Sequence, residues 1–394
     1  MRGKLYFLTG ARSELDYFLS LYEAAERTGA FEPAFIVGGM HLARRFGHTV
    51  DEIEREGHRI AGRIDNLLAS DAPSARGKSA GLLIAGLVDI LSHDPPEFLC
   101  VVGDREEALA GAVAGAYLRI PTVHIGAGDQ ADDGNVDNPV RHAVSKLAHL
   151  HMVSTEKSAA RVLALGEEDW RIYVTGAPGL DRLATEPHIE DHALYSAIGF
   201  DPGDAPFALV IQHPILSDLG RAKADMEATL EALARIGCPA FVSAPNSDAG
   251  HMKVFEAIAA AAKTNPRLHF HANLPRPLFV NLFRRAAVLV GNSSAGLVEA
   301  PFLGVPTVNV GLRQRGREHG ESVIFVDGET DAIEAALRRA MFDAAFRALV
   351  ARVGSPYGDG RAGARIIDIL AHIDDRARLL YKRHVDEGER KGTG

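Results

Sequence analysis

The sequence is short of cysteine: Cys100 and Cys238 are the only two among 394 residues, and they stand in separate segments. That excludes a disulfide framework and a cysteine-ligated zinc site. Their apolar surroundings, FLCVV and RIGCPAF, mark both as buried, inert thiols. Long hydrophobic runs are missing too. No window approaches the roughly 20 apolar residues that cross a bilayer, so no membrane partner is expected. There is no basic excess. The formal charge is −9, the wrong sign for sequence-independent binding to nucleic acid or an anionic membrane, although a local basic pocket for phosphate is compatible with it. The opening MRGKLYFLTG lacks the long apolar stretch of a signal peptide and leads straight into a strand-like run, so the cytoplasm is the expected compartment. No low-complexity tract or short-period repeat is present.

What is present is ordinary for a globular chain, with 46% hydrophobic and 24% charged residues. The length exceeds a single ordinary core and points to two domains of roughly 180 residues each. Short apolar runs recur in the first half: LYFLT (5–9), AFIVG (34–38), LCVVG (99–103), TVHIG (122–126), LHMVS (150–154) and IYVTG (172–176). Continuous rather than alternating apolarity fits strands buried on both faces of a parallel sheet. Helical patterns at 13–29, 75–92, 105–118 and 156–165 lie between them, which implies a doubly wound α/β domain.

A second series follows: FALVIQ (207–212), AFVSA (240–244), LHFH (268–271), AVLVG (287–291), TVNVG (307–311) and VIFVD (323–327). The expected division is an N-terminal domain at 1–185, a linker at 186–206 and a C-terminal domain at 207–360. A helical stretch at 361–383 would cross back to the first domain, and 384–394 would form a polar tail. Two such units in tandem imply a cleft between their carboxyl edges, where α/β sheets hold ligands.

The first strand runs into TGARS (9–13) and a helix, a turn whose N–H groups favour an anion, with Arg12 available for a diphosphate. VVGDREEAL (101–109) puts Asp104 and Arg105 at the carboxyl end of a buried strand. Asp104 as a helix N-cap is the bland alternative, and it leaves Arg105 without a purpose. The Gly-rich loop after TVHIG carries Asp129, Asp132, Asp133 and Asp137, then Arg141 and His142 at a helix start. Its spacing lacks the order of a calcium loop. The loop carboxylates suit either solvation or proton transfer, since crowded carboxylates shift one another's pKa. His142, His149 and His151 read as structural. In the second half, His213 stands just past the first strand and Asn246 sits in the polar turn after the second. GNSSAG (291–296) opens a helix in which Ser293, Ser294 and backbone N–H groups can cradle a phosphate. Glu299 lies within reach of a ribose diol, and Arg313, Arg315 and Arg317 follow the next strand.

These residues resemble the hydrolysing UDP-N-acetylglucosamine 2-epimerases of the sialic and legionaminic acid pathways. The resemblance spans roughly residues 4–375. It rests on TGARSE, GMHLARRFGHTVDEIEREGH (39–58), SDAP (70–73), VVGDREEAL, RHAVSKLAHLH (141–151), GAPGLD (176–181) and the GNSS…RQRGREHGESVI block. It implies a GT-B-type fold of two Rossmann-like domains, no organic cofactor, no metal essential for chemistry, and a dimer or tetramer. The implied substrate is a nucleoside-diphosphate sugar, with UDP expected. The implied reaction removes the C2 proton, expels the nucleoside diphosphate from C1 and hydrates the glycal to the free 2-epimeric, ManNAc-type sugar. Matched position by position, Asp104, Asp129 (usually Glu) and Asp137 fall on catalytic carboxylates, and His213 falls near the leaving phosphate. Arg105 falls on a nucleotide-side contact, and Arg12, Asn246, Asn273, Ser293, Ser294, Glu299 and Arg313 on the nucleotide pocket.

The departures lie at the chemical centre. The family typically reads His-Ile-His-Gly-Gly-Glu where this chain has His124-Ile125-Gly126-Ala127-Gly128-Asp129. The loop that follows is one residue longer, and Asp-Asp becomes Asp137-Asn138 before Pro139. Either the pocket is reshaped for another nucleotide sugar, with a changed C4 or C6 substituent, or the chemistry is lost or replaced. Another sugar-nucleotide enzyme of the same fold and a silent binding protein are the rivals. The intact nucleotide half and three remaining loop acids favour the reshaped pocket.

Overall fold

The computed structural model describes residues 2–68, 73–131, 136–215, 218–245, 250–272 and 274–386. The chain divides into two compact units. The first comprises Met1–Asp129, Val136–Arg182 and Tyr357–Gly394, and the second Gln130–Asn135 and Leu183–Pro356.

Unit 1 alternates strand and helix: β1 (Gly3–Thr9), α1 (Arg12–Thr28), β2 (Phe31–Val37), α2 (Val50–Arg55), β3 (Ile60–Arg63), α3 (Pro73–His93), β4 (Phe98–Val102), α4 (Glu106–Leu118), β5 (Thr122–Ile125), α5 (Asp137–Leu147), β6 (Leu150–Val153), α6 (Glu156–Ala164) and β7 (Ile172–Val174). Its seven strands are ordered β3-β2-β1-β4-β5-β6-β7, and every pairing is parallel. The expected strands form, and β3 adds an edge strand not foreseen from the sequence. Successive residues feed opposite faces of the sheet. Phe7, Phe35, Cys100 and Val123 pack on one side with Phe18 and Tyr22 of α1. Tyr6, Leu8, Ile36 and Val101 pack on the other with Leu83 and Leu87 of α3 and the alanines of α4. Each large side chain so buried contributes about 1.5–3 kcal/mol.

A short α7 (Asp181–Thr185) leads to unit 2, which runs α8 (Asp191–Ile198), β8 (Ala208–Ile211), α9 (Ala222–Ile236), β9 (Ala240–Ser243), α10 (His251–Ala262), β10 (Leu268–His271), α11 (Arg276–Arg285), β11 (Val288–Gly291), α12 (Glu299–Phe302), β12 (Thr307–Val310), β13 (Val323–Val326), α13 (Thr330–Phe342) and α14 (Ala344–Val353). Its parallel sheet is ordered β10-β9-β8-β11-β12-β13. The segment read as a linker contains α8 and is stitched to α11. Asn281 takes the Ile189 N–H and donates to the Pro187 carbonyl, while Arg284 donates to the carbonyls of Leu183 and Glu186.

The C-terminal stretch belongs to unit 1. It forms α15 (Ala362–Ala371), whose Ile366, Ile367 and Leu370 join the α1 side of the core, and α16 (Arg376–Leu379). Buried Arg171 donates to the carbonyls of Leu379 and Tyr381 and fastens this end. Both cysteines are buried. Among the described residues no helix is long and apolar enough to cross a membrane.

Candidate active site

Both sheets reverse strand order at one place, between β1 and β4 and between β8 and β11. The carboxyl ends flanking such a switch are where open α/β sheets bind ligands. In unit 1, Asp104 stands just past β4, Asp129 ends the turn after β5, and Asp137 opens α5. Arg141 lies one helical turn beyond Asp137, on the same side of α5. Its guanidinium is buried. Nη2 pairs with Asp104 Oδ2, and Nη1 lies 3.8 Å from Asp129 Oδ2. Side-chain exposures of 21% and 17% leave both carboxylates reachable by a ligand. The N-cap of α4 is Arg105, so Asp104 is not spent on capping.

The altered loop is pressed against α6. Gly128 has φ +72°, and a Cβ there would stand 2.2 Å from the Ser158 carbonyl oxygen, so glycine is required. Arg161 donates to the Gly128 carbonyl at 3.0 Å. Ala127 buries its methyl with Val153 and Val162. Gly126 has space around it: a Cβ would meet nothing nearer than the Gly103 nitrogen at 4.0 Å.

The turn between β1 and α1 corrects one expectation. The N–H groups of Gly10 and Ala11 donate to Glu14 Oε2 at 2.7 and 3.1 Å, so they are not offered to a diphosphate. Arg12 is exposed, with Nη2 3.0 Å from Glu52. Arg105 is directed into an acidic cluster, 3.3 Å from Glu107, 3.7 Å from Glu106 and 3.9 Å from Glu14. Burial pushes the carboxyls of Glu14 and Glu107 up, and the charge of Glu107 pushes Glu14 further. Arg105 therefore neutralises buried acid as well as standing near the switch.

In unit 2 the Asn292 side chain clamps the His213 backbone. Oδ1 accepts the His213 N–H at 2.7 Å, and Nδ2 donates to its carbonyl at 2.8 Å. The Asn292 carbonyl in turn accepts from Arg313 Nη1 at 3.2 Å and Gln314 Nε2 at 2.9 Å. Gly291, φ +133°, brings β11 so close to β8 that a Cβ would stand 2.1 Å from the Ile211 carbonyl. Ser293 Oγ accepts the Ala295 N–H at 3.3 Å, which leaves its hydroxyl hydrogen free to donate elsewhere. Ser294 opens the short 3-10 turn Ser294–Gly296, and Glu299 opens α12. Burial, then the charge of Arg313, pushes the His213 imidazole down to about 4. At neutral pH it is an uncharged ring, and Arg313 carries the positive charge. Asn246 and Asn273, like Asp132 and Asp133, lie outside the described residues.

Sequence reasoning passed over Arg141 as a mere helix-start residue and did not single out Glu14, Glu107, Asn292 or Gln314. Only Asn292 carried a usable signal, as a polar residue inside the phosphate-cradle motif. His149 and His151 are structural. His149 Nδ1 accepts the Thr122 N–H at 3.0 Å, and His151 Nε2 lies 2.9 Å from buried Glu167.

Burial depresses His124 to about 3 and His41, His149, His151, His213 and His271 to about 4. In the unfolded chain each titrates near about 6.5. Their stabilising contributions are therefore full above pH 6.5 and are lost as pH falls toward 4, at about 1.4 kcal/mol per pH unit for each group. The raised Glu14 and Glu107 act in the opposite sense and offset part of this. The melting temperature is expected to fall by several degrees or more between pH 7 and pH 5. A midpoint that holds or rises over that range in differential scanning fluorimetry would contradict the buried neutral histidines.

A family model described as UDP-N-acetylglucosamine 2-epimerase matches residues 23–371. A UDP-N,N'-diacetylbacillosamine 2-epimerase (hydrolyzing) from Legionella pneumophila is 32% identical over 97% of this chain and 99% of its own length. A UDP-N-acetylglucosamine 2-epimerase from Neisseria meningitidis serogroup B is 30% identical over 86% of this chain and 89% of its own. Among solved structures, the UDP-GlcNAc 2-epimerase from Neisseria meningitidis bound to UDP-GlcNAc superposes with a TM-score of 0.81, at 18% identity, covering 93% of this chain and 99% of that one. The shared fold is the GT-B-like pair of parallel-sheet α/β domains.

Proposed function

The chain belongs to the UDP-N-acetylglucosamine 2-epimerase family, and from that premise we propose that it is a hydrolysing 2-epimerase of a UDP-2-acetamido sugar carrying a further acylamino group on the ring. The observation that carries the reading is the gathering of Asp104 and Asp129 on the Arg141 guanidinium beside Asp137, at the switch of unit 1.

The reaction needs a base at C2, a stabilised leaving diphosphate and a group that delivers water. A carboxylate of the Asp104, Asp129 and Asp137 set takes the C2 proton as the C1–O bond to UDP breaks, leaving a C1–C2 double bond. A second carboxylate directs water to C1 while a proton returns to C2 on the opposite face. The sum is substrate plus water giving UDP and the free 2-epimeric sugar. Arg141 holds two of the acids in place, so neither has to be ordered at the moment of reaction. Arg313, Ser293, Ser294 and neutral His213 take up the diphosphate as its charge develops, with Glu299 on the ribose.

Gly126 supports the larger sugar. The family's second histidine is absent there, and a Cβ at this position would meet nothing nearer than the Gly103 nitrogen at 4.0 Å. The Legionella pneumophila relative, 32% identical over 97% of this chain, is named for a diacetylated sugar. UDP-N,N'-diacetylbacillosamine is therefore expected to release UDP with a kcat/KM at least about tenfold above that of UDP-N-acetylglucosamine, the scale on which a well-filled apolar pocket discriminates. A 31P NMR time course of UDP release from each compound, alongside the GDP counterpart, measures this. Equal turnover of the two UDP sugars, or preference for the smaller one, would remove the enlarged pocket from the reading.

A further inference from the structure

His124 takes no part in the chemistry above, yet it joins two elements that the chemistry depends on. It sits on β5 and is fully buried. Its Nε2 lies 2.8 Å from the Gly103 carbonyl oxygen. A carbonyl can only accept, so Nε2 carries the ring proton. Nδ1, 3.0 Å from Ser145 Oγ, accepts from that hydroxyl. Burial holds the ring neutral in this tautomer.

The two partners belong to opposite sides of the Asp104–Arg141 ion pair. Gly103 is the residue before Asp104. Its N–H is already held by the Ile125 carbonyl at 2.9 Å, so the contact with His124 fixes the other end of the same residue. Ser145 lies one turn past Arg141 on the same side of α5. The imidazole therefore spans the backbone that presents the carboxylate and the helix that presents the guanidinium. An apolar ring would fill the same space without making either bond.

We propose that His124 is a positioning residue that fixes Asp104 against Arg141 by bridging the Gly103 carbonyl to Ser145. The role in turnover rests on the proposed epimerase reading, whereas the geometric role does not.

Asparagine and glutamine separate the two bonds. The amide of His124→Gln reaches where Nε2 stands and can still donate to Gly103. The amide of His124→Asn reaches only the Nδ1 position and keeps Ser145 alone. His124→Asn is expected to lose about 10–100-fold in kcat with KM nearly unchanged, because a displacement on the order of 1 Å at a catalytic group costs that much. His124→Gln is expected to recover most of the rate. Ser145→Ala, which leaves the ring in place, is expected to lose about 3–10-fold, the scale of one neutral hydrogen bond.

Crystal structures of all three variants read the position of Asp104 without turnover. Expected are a shifted 103–104 peptide in His124→Asn and an unshifted one in His124→Gln. If wild-type protein released no UDP from any nucleotide sugar, the functional reading would fall and the crystal structures would still decide the positioning. An unmoved Asp104 in both His124→Asn and Ser145→Ala, or equal damage in the Asn and Gln variants, would overturn the proposal.

Discussion

Replacing Asp104 by Asn is expected to lower kcat by about 10³-fold, within the range for loss of a positioned acid–base group, and to leave UDP affinity unchanged. The substitution keeps the shape of the side chain and removes its charge. Arg141, 4% exposed, then faces an amide where it had a carboxylate. Arg141→Gln should cost a comparable factor, since Asp104 and Asp129 lose the cation that gathers them. The double variant should be little worse than the poorer single one, because residues that act as a unit are strongly non-additive. Steady-state UDP release by the four proteins measures the cycle. Wild-type rates in both Asp104→Asn and Asp129→Asn would remove these carboxylates from the chemistry, and additive losses would show that Asp104 and Arg141 act separately.

Removing the Asn292 side chain is the second large effect expected. Asn292→Ala leaves the His213 N–H and carbonyl without the amide that bonds both. Each buried backbone group so orphaned costs about 1–3 kcal/mol, so the melting temperature should fall clearly. The main-chain carbonyl of Asn292, which the alanine keeps, anchors Arg313 and Gln314, and loss of the side-chain clamp frees that backbone to shift and carry both away from the diphosphate. UDP should therefore bind about 10–100-fold more weakly, corresponding to about 1.4–2.7 kcal/mol. Asn292→Asp keeps the acceptor for the His213 N–H but turns a carboxylate toward its carbonyl and toward the diphosphate. It should bind UDP more weakly than the alanine variant does. Calorimetric titration of UDP with melting curves reads both effects. Unchanged UDP affinity in Asn292→Ala would remove the His213 clamp from nucleotide recognition.

The sheets were legible in the sequence because both are parallel and buried on two faces, which produces continuous apolar runs that need no partner to be recognised. Strand β3, IAGR, escaped notice because it is an edge strand: short, half-exposed, and carrying Gly62 and Arg63. The carboxylates could be found because they end strands. What they bond to could not. Arg141 reaches Asp104 across 37 positions and Asn292 reaches His213 across 79, pairings set by strand order rather than by local pattern. The α1 turn misled for a local reason. The capping Glu14 is present, but the N-cap is Ala11 instead of the Ser or Thr that signals a capping box. Helix α8 was read as linker because its DHALYSAI pattern sits among Pro, Gly and acidic residues, while the side chains that fix its flank come from α11.

The most direct test is the fate of the C2 hydrogen. The enzyme is incubated with UDP-N,N'-diacetylbacillosamine in deuterium oxide and followed by proton NMR. Expected is stoichiometric UDP with a free sugar that is inverted at C2 and carries deuterium there. Release of UDP with the C2 proton and configuration retained, or deuterium exchange in a sugar that stays attached to UDP, would contradict elimination and hydration by this carboxylate set.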